Sequence, residues 1–124
     1  MPWTVLYHNG FAPEMEALPE PVQNALLSAV SMLAAIGPRL GRPHADTLVG
    51  SKHANMKELR FNADGGVWRV AFAFDPVRRG IVLVAGDKAG VAQKRFYKAL
   101  ITRADKRFDD HLEALNGQNE SKGH

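Results

Sequence analysis

The stretch that decides the fold is Val67-Trp68-Arg69-Val70-Ala71-Phe72-Ala73-Phe74. Side chains alternate across a strand, so Trp68, Val70, Phe72 and Phe74 point to one face. Val67, Arg69, Ala71 and Ala73 point to the other. Just upstream, Asp64-Gly65-Gly66 is a strong hairpin signal, and Met56 to Asn62 alternates weakly as the partner strand. Just downstream, Asp75-Pro76 and Arg78-Arg79-Gly80 make the next turn. Ile81 to Ala85 is then a continuous apolar run that reads as a strand inside the sheet. Together these runs form a three-strand meander.

Outward from the meander the period changes to that of helices. Trp3 to His8 reads as a short first strand closed by Asn9-Gly10. Pro13 to Leu18 gives a turn or two of helix, ended by Pro19. A longer helix follows, with Pro19 and Pro21 at its start, where proline is tolerated. Val22, Leu26, Ala29, Leu33 and Ile36 form its apolar stripe, and Gly37-Pro38 stops it. Gly86 to Gly90 is a loop. Val91 to Leu115 reads as a last helix carrying Phe96, Leu100, Ala104, Phe108 and Leu112 at a spacing of four.

The fold class is therefore α+β. An antiparallel sheet, made of the N-terminal strand and the meander, carries an N-terminal helical hairpin and a C-terminal helix. All-antiparallel pairing leaves one sheet face open to a ligand. Residues 1–115 make a single domain and 116–124 a polar tail. The connector over 37–55 is long and irregular, and it holds Arg39, Arg42, Lys52, His44 and His53. Its apolar Leu40, Leu48 and Val49 predict that it packs against the sheet.

Composition narrows the function. The chain has 124 residues, 45% hydrophobic and 23% charged, which suits one globular domain and neither disorder nor a membrane class. With no cysteine, disulfides, thiolate zinc sites and thiol nucleophiles are excluded. Val22 to Ile36 is interrupted by polar residues, so it predicts no membrane span. No base precedes Arg39, unlike a secretory leader, and the expected compartment is the cytoplasm. Net charge is +3, but unevenly spread: residues 1–38 carry −3, residues 39–98 carry +7 and residues 99–124 carry −1. A basic block of this kind suits a polyanion as well as it suits a solvated face.

Few motifs carry chemistry. His8, His44, His53, His111 and His124 form no spaced pair on one helix, which predicts no metal site and no cofactor. No phosphate-binding glycine loop occurs, and no serine sits in a nucleophile elbow. On a strand, Glu58 and Arg60 face one side, while Lys57, Leu59 and Phe61 face the other. Arg69 projects among alanines on the next strand, where it has no packing role. It makes either a surface ion pair with Glu58 or part of a cationic cleft fed by Lys88, Lys94 and Arg95. Beside these bases, Tyr97 is either a half-buried helix residue or a platform for a base, and Phe96 is core.

Two runs, Leu40 to Leu48 and Gly50 to Arg60, resemble the RelE/ParE superfamily of toxins, and more narrowly its HigB-like, phage-derived branch. The resemblance continues through Trp68-Arg69-Val70-Ala71-Phe72-Ala73-Phe74-Asp75-Pro76 and Gly86-Asp87-Lys88, and spans residues 3–112. It implies a compact toxin that is silenced by a cognate antitoxin, expected to be a helix-turn-helix protein. It implies cleavage of mRNA on the ribosome, in a basic cleft that needs no metal. Lys57, Arg60 and Arg69 match the family's basic strand residues, and Lys88 matches its lysine after the last strand. Tyr97 and His53 stand in for the family's C-terminal acid or base.

In the mechanism so implied, the ribose 2′-OH attacks its own adjacent phosphate in line. Arg60 and Arg69 clamp the phosphate, Lys57 serves as base or electrostatic stabiliser, and His53 protonates the leaving 5′-oxygen. Lys52, Lys88, Lys94, Arg95 and Tyr97 line the RNA path. Strict alternation sets Lys57 and Arg60 on opposite faces, so a shared cleft requires either a bulge or strong twist, or Lys57 placed before the strand, and Asn55, a poor strand former, favours the second. The antitoxin is expected to cover the basic cleft. Two alternatives are a gyrase-inhibiting toxin and a non-catalytic nucleic-acid-binding phage protein.

Overall fold

The computed structural model describes residues 2–122. In chain order the elements are β1 (Val5–Tyr7), α1 (Ala12–Ala17), α2 (Glu20–Ile36), a 3-10 turn (Gly37–Arg39), β2 (Ala45–Thr47), β3 (Lys57–Ala63), β4 (Gly66–Phe74), β5 (Gly80–Asp87) and α3 (Gln93–Lys122). The hairpin between β3 and β4 turns on Asp64 and Gly65, at φ 52° and 76°. Two successive positive φ angles give the turn whose twist matches its flanking strands, and glycine takes such an angle freely.

The five strands form one mixed sheet in the order β1-β5-β4-β3-β2. The meander is antiparallel, but β1 pairs with β5 in parallel, with Leu6 opposite Ile81. The all-antiparallel expectation is corrected there: after β1 the chain passes through both N-terminal helices, enters the sheet at the opposite edge as β2, and reaches β5, the neighbour of β1, as the last strand. β2 was not foreseen either. It forms inside the connector, where Asp46 lies opposite Glu58.

The sheet is covered on both faces. Against α1 and α2 it packs Leu59, Val70, Phe72 and Val82, with Phe11, Leu26 and Leu33 from the helices. Against α3 it packs Ala71, Ala73, Ile81, Leu83 and Val84, with Phe96, Leu100, Ala104 and Phe108 from the helix. Burying each large apolar side chain contributes about 1.5–3 kcal/mol, so the two alternating sets fix which face is which. Ile36, at the end of the α2 stripe, is exposed.

A β-bulge in β5 sets Ala71 opposite Val84 and Phe72 opposite Val82. Leu83 is the extra residue, and it and Val84 both join the α3 side. The Leu83 carbonyl accepts a hydrogen bond from Arg107 at 2.7 Å, and the same guanidinium holds Glu14 of α1. One arginine thus ties α3, β5 and α1 together. At Gly86 a Cβ would come within 2.9 Å of the Phe96 ring, so only glycine lets α3 approach β5 this closely.

The connector packs as expected at Leu40 and Leu48, which are buried, but Val49 is 88% exposed. Leu48 donates its backbone N–H to Met56 and its side chain enters the α3 core, so the chain must turn outward at the next residue. Helix α3 runs past Leu115 to Lys122, so the expected polar tail starts as helix; residues 123–124 lie outside the described residues.

Candidate active site

Helix α3 packs mainly across β5 and β4 and reaches β3 through Tyr97, leaving a gap beside it over β3 and β2. The gap is a cleft of about 940 Å³. Its sheet wall carries Asp46, Glu58 and Arg60. Its helix wall carries Gln93, Lys94, Tyr97 and Lys98, and Lys88 stands at the end of β5. Alternation on β3 places Glu58 and Arg60 here, and the helical repeat places Lys94, Tyr97 and Lys98 on one side of α3.

Arg60 lies directly opposite Arg69 in the β3–β4 register. Two like charges so paired repel, and nearby carboxylates offset them. Asp46 lies 3.8 Å from Arg60 and accepts from Arg42 at 2.9 Å. The Thr47 backbone N–H and the Arg42 guanidinium hold Asp46 below the usual carboxylate range. Glu58 is 5% exposed and Arg69 is 7% exposed, with Nε and Oε1 3.8 Å apart. That distance permits attraction but is too long for a hydrogen bond. Arg69 Nη1 donates to the Trp68 carbonyl, and its buried Nε has no partner among the described residues.

Tyr97 closes this group from the helix. Its hydroxyl donates to Glu58 Oε1 at 2.9 Å. Burial pushes Glu58 up, and neither the Tyr97 hydrogen bond nor the charges of Arg69 and Arg60 offset that. Burial also raises Tyr97, and the hydrogen bond to Glu58 adds to it. The Lys88 ammonium stands 5.8 Å over the Tyr97 ring. The cleft thus has a cationic rim and a floor with one buried carboxylate.

The structure brings together Arg60, Lys88, Lys94 and Tyr97, with Arg69 beneath Tyr97 rather than on the surface. It does not bring in four other expected residues. Lys57 points to the α2 face, where its ammonium donates to the carbonyls of Pro38 and Leu40. It cannot precede the strand, because β3 begins with it. His53 hydrogen-bonds Asp109 at 2.8 Å and packs edge-on against Phe108. Asp109 lies twelve residues beyond Tyr97, about 18 Å along the helix. Lys52 pairs with the same Asp109. Arg95 lines the opposite side of α3 with Val84, Gly86 and Arg103.

A second hollow, of about 480 Å³, lies near β1 and is lined in part by Arg79 and His111, but both are engaged with Asp75. Among the described residues no three of His, Asp and Glu gather as a metal would require, and no helix is long and apolar enough to cross a membrane.

Comparison with known proteins follows the same lines. The family described as "Phage derived protein Gp49-like (DUF891)" matches residues 13–109. The chain belongs to this family. It is 46% identical over 88 residues to HigB2 of Mycobacterium tuberculosis, described as a toxin; the match covers 70% of this chain and 43% of HigB2. The chain thus spans less than half of HigB2's own length. It is 42% identical over 101 residues to HigB3 of the same organism, also described as a toxin, covering 82% of this chain and 86% of HigB3. A double arginine-to-alanine variant of the E. coli toxin RelE, in the free state, superposes with a TM-score of 0.58 at 13% identity, over 82% of this chain and 96% of that one. At that identity RelE shows the fold alone.

Within this Gp49-like domain, sequence reasoning weighed Glu58 only as an ion-pair partner of Arg69, and it did not put Asp46, Gln93 or Lys98 in the cleft. Glu58 had a signal: it is one carboxylate on a strand face otherwise aimed at arginines. Lys98 had one too, at i+4 from Lys94.

Proposed function

We propose that this Gp49-like protein is the toxin of a toxin–antitoxin pair and cleaves mRNA on the ribosome. The observation that supports this best is the cleft: Arg60, Lys88, Lys94 and Lys98 ring a groove open along its length, beside a buried carboxylate. Fixed cations of this kind neutralise the charge that gathers on phosphate oxygens as the 2′-OH attacks. Positioning by the groove supplies much of the remaining acceleration. Arg60 serves as the phosphate clamp, since its guanidinium can donate two parallel hydrogen bonds, and the lysines steer the backbone as point charges. Arg69, being buried, acts from behind by holding Glu58 and supporting Tyr97. The cognate antitoxin silences the protein by laying acidic groups over the same cleft, and a helix-turn-helix protein fits that role.

The test is cleavage of a defined mRNA on programmed ribosomes by the purified protein. We expect products ending in a 2′,3′-cyclic phosphate and a 5′-hydroxyl. The Arg60→Ala variant should lose roughly 10²–10³-fold in rate, as when one preorganised donor is removed. Intact mRNA, together with inhibited supercoiling by DNA gyrase, would instead favour the gyrase reading.

A further inference from the structure

We infer that Glu58 is the proton acceptor of this cleft, taking the proton of the attacking ribose 2′-hydroxyl; this rests on the ribonuclease reading above. Lys57 is turned away to the Pro38 and Leu40 carbonyls, and the lysines of the rim serve as cations; of the carboxylate, imidazole and phenol groups near the cleft, five compete for the role, and geometry removes four. Asp46 is committed to Arg42 and to the Thr47 N–H. Asp105 accepts from the Ser51 hydroxyl and the Lys52 N–H. His53 is held by Asp109, away from the groove. The Tyr97 hydroxyl spends its proton on Glu58. That leaves Glu58, which lines the cleft floor. Its Oε1 receives the Tyr97 hydroxyl, and nothing donates to Oε2 among the described residues.

Its surroundings suit the task. Asp46 faces Glu58 from β2, Arg60 from β3, Arg69 from β4 and Tyr97 from α3, with Lys88, Lys94 and Lys98 at the rim. A carboxylate this buried binds a proton more readily than an exposed one, which makes it a stronger base. The step balances within the RNA. The 2′-oxygen gives its proton to Glu58 Oε2 and forms a bond to phosphorus. The bond from phosphorus to the 5′-oxygen breaks, and that oxygen leaves with the electron pair and takes a proton from solvent. Glu58 then returns its proton to solvent. Tyr97 and Arg69 are positioning residues, fixing the carboxylate through Oε1.

The experiment is single-turnover cleavage on programmed ribosomes as a function of pH, with ribosome binding measured in parallel. Wild type should speed up as pH rises through the titration of Glu58. The Glu58→Gln variant, which keeps an oxygen for Tyr97, should lose about 10²–10⁴-fold in rate and lose that acidic limb, while binding ribosomes as wild type does. In Tyr97→Phe the acidic limb should move to higher pH, because the hydrogen bond that favours the anion is gone. A merely structural Glu58 would show neither change. Cleavage by Glu58→Gln at the wild-type rate, or with the acidic limb intact, overturns the assignment and leaves the ribonuclease reading standing. A limb unmoved in Tyr97→Phe overturns it as well. Wild type that leaves the mRNA intact overturns both.

Discussion

Two buried carboxylates meet helix α3, and they are treated in opposite ways. Asp75 receives five hydrogen bonds: from the Val77 and Arg79 backbone, from two nitrogens of the Arg79 guanidinium, and from His111. Burial pushes its carboxyl up, but His111, the Arg79 backbone and the Arg79 guanidinium outweigh that and hold it below the usual range. Glu58 receives one hydrogen bond, from Tyr97, and burial leaves it above the usual range. The two meet α3 fourteen residues apart, about 21 Å along the helix. Around His111, α3 is locked by a satisfied charge cluster that contributes to stability. Around Tyr97 the same helix covers a carboxylate that is costly to keep ionised. Such a division suits a fold in which one region carries stability while another keeps a polar group incompletely satisfied.

The largest effect should come from removing the satisfied partner. Asp75→Ala strands the Arg79 and His111 side chains and two backbone N–H groups, and should cost about 3–5 kcal/mol, read from the urea midpoint. The contribution has a sign in pH. The folded carboxyl binds its proton less readily than the unfolded one, so the stabilisation is present at neutral pH and fades as pH falls through the folded titration. Wild-type stability in Asp75→Ala would erase the contrast.

A smaller loss should follow Arg69→Ala, which leaves Glu58 buried without its nearest cation. About 1–3 kcal/mol should be lost at neutral pH. Glu58 is already raised, and losing Arg69 raises it further. The penalty should therefore shrink at low pH, where Glu58 takes its proton, and grow as pH rises through that titration. A penalty independent of pH between 4 and roughly 8, spanning the ordinary carboxylate range, would show that Glu58 and Arg69 do not sense each other.

The smallest effect sharpens the geometry of the cleft. Lys57→Met removes donors to the Pro38 and Leu40 carbonyls and should cost about 1 kcal/mol in stability. It should leave mRNA cleavage intact, whereas Arg60→Met, three residues on and on the other face of β3, should not. Equal losses of cleavage in the two variants would return Lys57 to the site.

How much of this was legible depends on the length of each pattern. The β3–β4 hairpin and the spacing-four stripe of α3 are long local repeats, and the structure has both. β1 and β2 are three residues each, too short for a period, so the parallel pairing and the extra edge strand could not be read. For the site, alternation placed Arg60, Glu58 and Arg69 on one face and Lys57 on the other, and the structure follows it. Lys57 was expected in the cleft on resemblance, against its own alternation. His53 misled because nothing in its neighbourhood announces Asp109, fifty-six residues later. Glu58 was weighed only as a surface partner for Arg69, because burial of that pair depends on how far α3 covers the sheet.

The contrast between the two carboxylates can be measured directly by following their side-chain carbonyl carbons by NMR through an acid titration of the folded protein. Glu58 should take up its proton at a pH above the ordinary glutamate range, and Asp75 at a pH below the ordinary aspartate range. Glu58 titrating within or below its ordinary range, or Asp75 above its own, would contradict a poised cleft opposite a locked one.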